Sequence, residues 1–266
     1  MIKLIITDLD GTFLNSQGSF DKAMFSQVKR LMADKGVQFA ACTGKQCERV
    51  EELFAELGKD IWIIGDSATR IKYNGEFIYQ SLITNALGRR IISKLKQVAD
   101  QQLIIACTEA GAVIERKTPQ YLVDRIRQSY RHVILVDDLR HEPADFIKIS
   151  VYDEHGQCPA TRQQLNEFND DVYMVVSEAA WIDIADAGVH KGTTVEKLQQ
   201  YLNIGRHETM AFGDGYNDLE LLAAAEYSFA MRNAFEETKA AAQFITGSND
   251  ENAVQQTIQK ILVLQP

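Results

Sequence analysis

Short apolar runs alternate with amphipathic stretches at both ends of the chain. Towards the amino terminus, the pattern predicts strands at residues 3–7, 37–42 and 61–64 and helices at 20–35 and 48–57. Towards the carboxyl terminus, it predicts helices at 193–202, 218–225, 235–242 and 251–262 and strands at 208–212, 227–231 and 243–246. Strands that alternate with helices are typical of a parallel sheet with right-handed crossovers. We therefore expect both ends of the chain to form one Rossmann-like α/β core.

The middle of the chain has a different pattern, which begins after a hairpin predicted around Asn74-Gly75. It reads as α+β, with helices predicted from residue 85 onwards and at 119–130 and 161–168, and strands at 102–107, 112–115, 132–136, 146–152, 171–176 and 181–185. We therefore expect a core domain of residues 1–82 and 187–266 and an inserted α+β cap domain of residues 83–186. Such a module commonly covers the carboxyl ends of the core strands, where ligands bind.

The composition is that of an ordinary globular protein. The chain has 266 residues, of which 45% are hydrophobic and 24% charged, and no apolar run approaches the roughly 18 residues that span a bilayer. Asp8 interrupts the first apolar run, so we expect no signal peptide. The widely spaced cysteines form no CxxC pair and are expected to be reduced core residues of a cytoplasmic protein (Cys42, Cys47, Cys107 and Cys158).

The charge of the chain bears on its partners. A net charge of −9 argues against nucleic acid and against an anionic membrane, because neither would be attracted by the overall field of the protein. A phosphate substrate is still compatible with this charge. Metal, lysine and backbone amides can together hold an anion on an acidic protein if the site is concave and partly dry.

Two aspartates, Asp8 and Asp10, directly follow the first predicted strand. Taken alone, they fit equally well a turn that ends a buried strand. In extended chain, however, residues two apart point to the same side, so both carboxylates would project together from the end of the strand. Two like charges about 4 Å apart cost on the order of 4 kcal/mol at an effective dielectric near 20. We therefore expect a cation or a proton close to this pair.

Other polar residues follow the second and the later core strands. Thr43-Gly44-Lys45 follows the second strand, and the sequence GDGYND, residues 213–218, follows the strand at 208–212. The carboxyl ends of parallel strands share one edge of the sheet, so these groups are expected to meet Asp8 there. Lys191 opens the helix before that later strand, at the opposite end of the strand from the turn, and spacing alone does not bring it to the site.

Each of these groups also has a purely structural interpretation. Thr43-Gly44 fits a helix cap, Lys191 fits an exposed helix start, and Asp218 fits the first turn of a helix. The GDGYND sequence lacks the third glycine of a dinucleotide-binding fingerprint, because Asp218 occupies that position.

Together, these motifs resemble those of the haloacid dehalogenase-like phosphatases. DLDGT at residues 8–12, Thr43 in ACTGK, Lys191 and GDGYND occur in that order over nearly the whole chain. The insertion between the second and third motifs resembles the large type-two cap of the Cof-type branch. The resemblance implies a Mg²⁺-dependent phosphatase that hydrolyses a small phosphate monoester, a sugar phosphate or similar metabolite, through an aspartyl-phosphate.

The chemistry of the residue types agrees with this interpretation. Asp8 is expected to be the nucleophile, and Asp10 is expected to protonate the leaving group and then to activate water. Mg²⁺ is expected between Asp8, Asp214 and the phosphate, and similarity to the family implies that Asp10 binds it through the backbone carbonyl. Asp218 is expected to orient Lys191 or a water molecule at the metal.

A further set of groups is expected to neutralise the oxygens of the transferred phosphoryl group. It comprises the Thr43 hydroxyl, the backbone amides of Leu9 and Gly44, and the side chains of Lys191 and Asn217.

Two positions depart from the family pattern. Relatives commonly have arginine where this chain has Lys45, which keeps the charge and loses the bidentate geometry. They often have Asn-Gly where this chain has Asp66-Ser67, and we expect Asp66 to add an anion near the substrate. Both departures concern substrate choice, not the chemistry.

Two other functions compete with hydrolysis. A phosphomutase would pass the phosphoryl group from the same aspartate to a sugar hydroxyl. A receiver-type phosphate-binding module also uses Asp, Thr and Lys on an α/β sheet, but its acidic pair is adjacent in sequence and it lacks the insertion. In the cap, the polar residues His132, His141, Asp137 and Asp138 are expected to be solvated surface, and no pattern predicts the oligomeric state.

Overall fold

The computed structural model describes residues 1–99 and 101–265; Asp100 and Pro266, which fall within the predicted domain ranges, lie outside the described residues. The described part contains two sheets, one of eight strands and one of six. The six-stranded sheet and its helices interrupt the chain of the larger sheet. The predicted class, a Rossmann-like α/β core with an inserted α+β cap, is confirmed.

The strands in chain order are β1 Leu4–Thr7, β2 Gln38–Cys42, β3 Trp62–Gly65, β4 Arg70–Tyr73, β5 Glu76–Gln80, β6 Leu103–Thr108, β7 Gly111–Glu115, β8 Val133–Val136, β9 Lys148–Tyr152, β10 Val172–Glu178, β11 Trp181–Asp186, β12 Thr209–Gly213, β13 Tyr227–Ala230 and β14 Phe244–Ile245. The helices are α1 Lys22–Asp34, α2 Cys47–Phe54, α3 Asn85–Val98, α4 Gln120–Ile126, α5 Cys158–Gln163, α6 Lys191–Leu202, α7 Leu219–Ala223, α8 Glu236–Ala241 and α9 Ala253–Leu264.

Several helix ends differ from the prediction. Helix α1 begins at Lys22, later than predicted, because Asp21 caps it by accepting a hydrogen bond from the Met24 amide at 2.9 Å. Helix α5 begins before the predicted residue 161, with Pro159 in its first turn, and a separate 3-10 turn follows at Asn166–Phe168. Helix α4 ends at Ile126, well before the predicted Tyr130.

The core sheet has the strand order β14-β13-β12-β1-β2-β3-β4-β5. Strands β1 to β3 and β12 to β14 pair in parallel, and the hairpin β4–β5 adds two antiparallel strands at one edge. Strand β1 is buried on both faces: Ile5 packs in the cluster that contains Phe25, and Ile6 packs in the cluster that contains Val195. This central position explains the uninterrupted apolar run and brings Asp8 to the middle of the carboxyl edge.

The cap sheet has the strand order β10-β11-β9-β6-β7-β8, and it is antiparallel except between β7 and β8. Alternate residues of β6 face different layers, since Ile104 packs with Ile91 of α3 and Ile105 packs with Val123 of α4. The chain enters and leaves the cap side by side, where the Ser81 hydroxyl donates to an Asp186 carboxylate oxygen at 2.6 Å. We propose that the cap extends over residues 83–186.

In the cap, His132, His141 and Asp137 are exposed, as expected. Asp138 is less exposed than these three, and its carboxylate is paired with Lys96 at 2.7 Å and with Arg140 at 2.5 Å. All four cysteines are unpaired and buried, as expected of core residues. Among the described residues, no helix has both the length and the apolar character needed to cross a membrane.

Candidate active site

The residues that follow the central core strands meet at one end of the core sheet, beneath the cap. Asp8 follows β1, Thr43 follows β2 and Asp214 follows β12, and all three line a cavity of about 660 Å³ between core and cap. Gly44, Asn217 and Asp218 also line this cavity. Leu9 is fully buried and is not among the residues that line this cavity.

Lys191 is a buried cation beside Asp8. Its ammonium donates to Asp8 Oδ1 and to Asp218 Oδ1, each at 2.6 Å. Helix α6 begins at Lys191 and leads into β12, so the helix runs back along the sheet and starts at the edge where the strand ends. The fold thereby brings Lys191 to the site, whereas the sequence spacing had placed it at the other end of the strand.

Asp218 uses both carboxylate oxygens within the protein. Oδ1 accepts from Lys191, and Oδ2 accepts from the backbone amides of Asp214 and Gly215 at 3.0 and 2.9 Å. These bonds shape the turn that presents Asp214 and hold the ammonium of Lys191 beside Asp8. The geometry of Asp218 is therefore that of an orienting residue.

Three carboxylates lie close enough to share a cation: one oxygen each of Asp8, Asp214 and Asp218 lies within 4.8 Å of the others. Burial, and next the neighbouring Asp218, raise the pKa of Asp214 to about 7, while the hydroxyl of Thr12, which donates to Asp214 at 2.5 Å, opposes this shift. Burial also raises the pKa of Asp8 well above its usual range, although Lys191 opposes this. The single positive charge of Lys191 does not neutralise the three carboxylates of this cluster. Carboxylate oxygens are hard donors, which are the ligands that Mg²⁺ prefers.

Asp10 is not one of these three clustered carboxylates and lies at the rim of the cavity, although its charge also contributes to the raised pKa of Asp214. Its side chain is 58% exposed and pairs with Lys45 at 2.8 Å. Strand β1 ends at Thr7, so the alternation of an extended chain does not continue to Asp10. The expectation of an adjacent Asp8–Asp10 carboxylate pair is therefore wrong: the carboxylates that repel Asp8 are Asp218 and Asp214.

Comparison with known proteins identifies the family. A family model described as haloacid dehalogenase-like hydrolase matches residues 5–258. The chain belongs to the haloacid dehalogenase-like hydrolase family. This membership confirms the resemblance of the motifs, with its Cof-type branch and large inserted cap, and it confirms the prediction of a hydrolytic enzyme.

Two relatives and one solved structure resemble this haloacid dehalogenase-like hydrolase over most of its length. The 5-amino-6-(5-phospho-D-ribitylamino)uracil phosphatase YbjI of Escherichia coli is 28% identical, over 98% of this chain and 96% of that protein. The HMP-PP phosphatase of Klebsiella pneumoniae is 28% identical, over 90% of this chain and 88% of that protein. The crystal structure of SMU.1108c from Streptococcus mutans is 26% identical with a TM-score of 0.94, over 99% of this chain and 100% of that chain.

The two departures from the family pattern have different surroundings. The amine of Lys45 contacts Asp10 at the cavity rim, as described above. Asp66 is buried. Its carboxylate accepts a hydrogen bond from the Cys47 amide at 3.4 Å and lies 3.9 Å from the guanidinium of Arg70. Because Asp66 does not line the cavity, the expectation that it adds an anion near the substrate is wrong. The hydroxyl of Ser67, by contrast, forms hydrogen bonds with Lys148 and Asp183 of the cap.

Sequence reasoning gave no individual role to two residues of the DLDGT motif. Thr12 holds Asp214, as described above. Gly11 has φ of +77°, and a β-carbon there would lie 2.4 Å from Asp214 Oδ2. The glycine is therefore required both by the backbone and by the close approach of the carboxylate.

We expect Gly11→Ala to displace the Asp214 carboxylate and to raise the Mg²⁺ concentration for half-maximal activity at least about 10-fold, the usual scale for disturbing a group that positions a ligand. Gly18→Ala is the matched control, because Gly18 has φ of +71° and no atom within 4 Å of the added carbon. Both variants have about 1–2 kcal/mol of backbone strain, and only Gly11→Ala has the clash. Equal Mg²⁺ requirements in the two variants would contradict this role of Gly11.

Proposed function

We propose that this hydrolase is a Mg²⁺-dependent phosphatase that hydrolyses a small phosphate monoester through an aspartyl-phosphate on Asp8. The observation that carries the proposal is the arrangement beneath the cap. The carboxylate of Asp8 is held by Lys191 at 2.6 Å and shares an acidic cluster with Asp214. A buried carboxylate, a fixed cation and an acidic metal-binding group are the parts that phosphoryl transfer to an aspartate needs.

The relatives support the class of enzyme, a phosphoric monoester hydrolase. Both named relatives are phosphatases, and they align with nearly the whole chain. Their names refer to small phosphorylated metabolites, which agrees with a cavity of about 660 Å³. We propose a sugar phosphate or a similar metabolite as the substrate, and a cytoplasmic location, where such metabolites occur and where buried unpaired thiols remain reduced.

In the first half-reaction, a carboxylate oxygen of Asp8 attacks phosphorus, and the bond from phosphorus to the ester oxygen breaks. Asp10, protonated at this stage, gives its proton to the departing oxygen, which leaves as an alcohol. Lys191 is bound to Asp8 Oδ1 and so fixes the orientation of the attacking group. Asp218 and Asp8 together keep Lys191 protonated, since they raise its pKa well above the usual range despite the opposing effect of burial.

In the second half-reaction, Asp10 accepts a proton from water, and the resulting hydroxide oxygen attacks phosphorus. The bond from phosphorus to Asp8 breaks, phosphate leaves and both carboxyl groups return to their starting states. The exposed position of Asp10 at the cavity rim suits this role, because the residue must meet both the leaving group and water. The amine of Lys45 contacts Asp10 at 2.8 Å and holds its side chain at this rim.

The transferred phosphoryl group needs charge neutralisation on its remaining oxygens. We propose the hydroxyl of Thr43, the backbone amides of Leu9 and Gly44, and the side chains of Lys191 and Asn217 for this role. Thr43, Gly44 and Asn217 line the cavity that also contains Asp8.

The carboxylates of Asp8 and Asp214 would hold Mg²⁺, with the backbone carbonyl of Asp10 as a further ligand that the family resemblance implies. The ion would supply the positive charge that this acidic cluster and the phosphate dianion lack. Asp218 is the third carboxylate of the cluster, and its bonds to Lys191 and to two amides give it the orienting role.

Chelation of divalent metal is expected to abolish turnover, and Mg²⁺ is expected to restore it. Ca²⁺ should support turnover poorly, because it is larger and accepts irregular coordination. The measurement is phosphate release from p-nitrophenyl phosphate after removal of metal and titration with each ion. Undiminished release in excess chelator would contradict the carboxylate metal site.

A panel of substrates tests the proposed function itself. We expect release of free phosphate, in the presence of Mg²⁺, from at least one member of a panel of sugar phosphates, nucleotides, flavin mononucleotide and pyridoxal phosphate. Free phosphate in stoichiometric amounts distinguishes a hydrolase from a phosphomutase. Isomerised sugar phosphate without free phosphate would assign the mutase instead.

A further inference from the structure

A buried lysine of the cap, Lys148, reaches across the interface to the core. Its side chain is 2% exposed and lies on β9. The ammonium donates to the Gly44 carbonyl at 3.0 Å, to Ser67 Oγ at 2.8 Å and to Asp183 Oδ1 at 3.1 Å. Gly44 and Ser67 belong to two loops of the core, whereas Asp183 belongs to the cap strand β11. Asp183, in the cap, thus balances the positive charge of Lys148, while Gly44 and Ser67 of the core accept its other two hydrogen bonds.

The hydrogen bonds of this group are fully used. An ammonium has three N–H donors, and Lys148 has three acceptors. The Ser67 hydroxyl accepts from Lys148 and donates to Asp183 Oδ2 at 2.8 Å, and the other Asp183 oxygen also accepts from the Ser150 hydroxyl. Although Lys148 lines the cavity, it has no N–H left for a phosphate. Its geometry is that of a positioning residue.

Ser67 lies in an unusual turn. Asp66, Ser67 and Ala68 all have positive φ, between 53° and 70°, where side chains other than glycine are disfavoured. The turn is tied to the neighbouring core loop, since the Ser67 amide donates to the Thr43 carbonyl at 3.3 Å and the Asp66 amide donates to the Lys45 carbonyl at 2.8 Å. Glycine would suit this backbone better than serine. Serine, however, supplies the hydroxyl that joins Lys148 and Asp183, which glycine lacks.

We propose that Lys148 and Ser67 form a latch that holds the cap closed and fixes the Thr43–Lys45 loop beneath it. When the cap opens, Lys148 and Asp183 stay paired with each other, while Gly44 and Ser67 lose their cap partners. Closure of the cap therefore sets the position of the loop that, in the proposed function, supplies Thr43 and Gly44 to the phosphate. The effect on phosphate binding rests on that proposed function, and the effect on cap closure does not.

Ser67→Gly tests the latch with little risk to the fold, because glycine adopts positive φ readily and only the hydroxyl is lost. We expect a larger radius of gyration in small-angle X-ray scattering of the full chain, since the open form gains population. In calorimetric titration with inorganic phosphate and Mg²⁺, we expect affinity about 10-fold lower, the scale of losing a buried hydrogen bond to a charged group. Lys148→Met should show both effects more strongly if it folds with Asp183 unpaired.

Ser150→Ala is the matched control, because it removes a hydroxyl that bonds to the same Asp183 carboxylate from within the cap. We expect it to retain the wild-type radius of gyration and phosphate affinity. The latch is overturned if Ser67→Gly remains as compact as the wild type, or if Ser150→Ala opens the protein equally. Scattering needs no turnover, so a protein that hydrolysed no phosphate ester would refute the proposed function and leave the test of closure valid.

Discussion

Asp8→Asn is expected to lower phosphate release from p-nitrophenyl phosphate by at least about 10⁴-fold, the scale seen when a catalytic nucleophile is removed. The amide of asparagine is a poor nucleophile and cannot form the acyl phosphate. Lys191 keeps its bond to Asp218, so the variant should remain folded. Steady-state kinetics with saturating Mg²⁺ and circular dichroism of the same sample measure both properties.

The matched control for this variant is Asp66→Asn. Asp66 is a buried aspartate like Asp8, and burial raises its pKa as well, but it does not line the cavity. We expect its turnover to stay within about 10-fold of the wild type, since the substitution weakens structural contacts with Arg70 and the Cys47 amide and none with the cavity. Turnover of Asp8→Asn comparable to that of Asp66→Asn would show that Asp8 is not the nucleophile.

Asp10→Asn is expected to separate the two half-reactions. The p-nitrophenolate ion leaves without a proton, because the phenol is a much stronger acid than a sugar alcohol, so phosphorylation of Asp8 should proceed. Hydrolysis of the intermediate still needs a base for water and should be slow. Rapid mixing should therefore show a burst of about one p-nitrophenolate per active site, followed by a slow steady state.

The same variant should lose both steps with a sugar phosphate, whose alkoxide cannot leave unprotonated. The wild type, in which Asp10 assists dephosphorylation, is the control against which the size of the burst is judged. The backbone carbonyl of residue 10 is unchanged by the substitution, so its contribution to metal binding should persist. Slow turnover of p-nitrophenyl phosphate with no burst would mean that Asp10 does not mainly serve dephosphorylation.

The convergence of the main site residues could be predicted from sequence, because it depends on local patterns. Alternating strands and helices fix a parallel sheet, and the carboxyl ends of its strands share an edge. Asp8, Thr43 and Asp214 each directly follow a strand, so their meeting follows from the fold class. Lys191 could be placed only through the family motif, because the direction of α6 relative to the sheet was misjudged from spacing.

Other features could not be predicted, because they depend on contacts between distant parts of the chain. Lys148 reads as a polar residue within a predicted strand, and its partners lie 81 and 104 residues away in sequence. No local pattern indicates which cap residue faces which core loop. The predicted pairing of the Asp8 and Asp10 carboxylates failed for a different reason. It depended on where β1 ends, and strand ends are set by tertiary contacts as much as by sequence.

The most direct test of the aspartyl-phosphate mechanism is chemical identification of the phosphorylated residue. Asp10→Asn would be mixed with p-nitrophenyl phosphate and Mg²⁺, quenched in acid during the burst, digested and analysed by tandem mass spectrometry. We expect a phosphoryl group on the carboxylate of Asp8, in an amount equal to the burst, and none in the Asp8→Asn, Asp10→Asn double variant. A phosphoryl group on any other residue, or a burst with Asp8 unmodified, would contradict the aspartyl-phosphate mechanism.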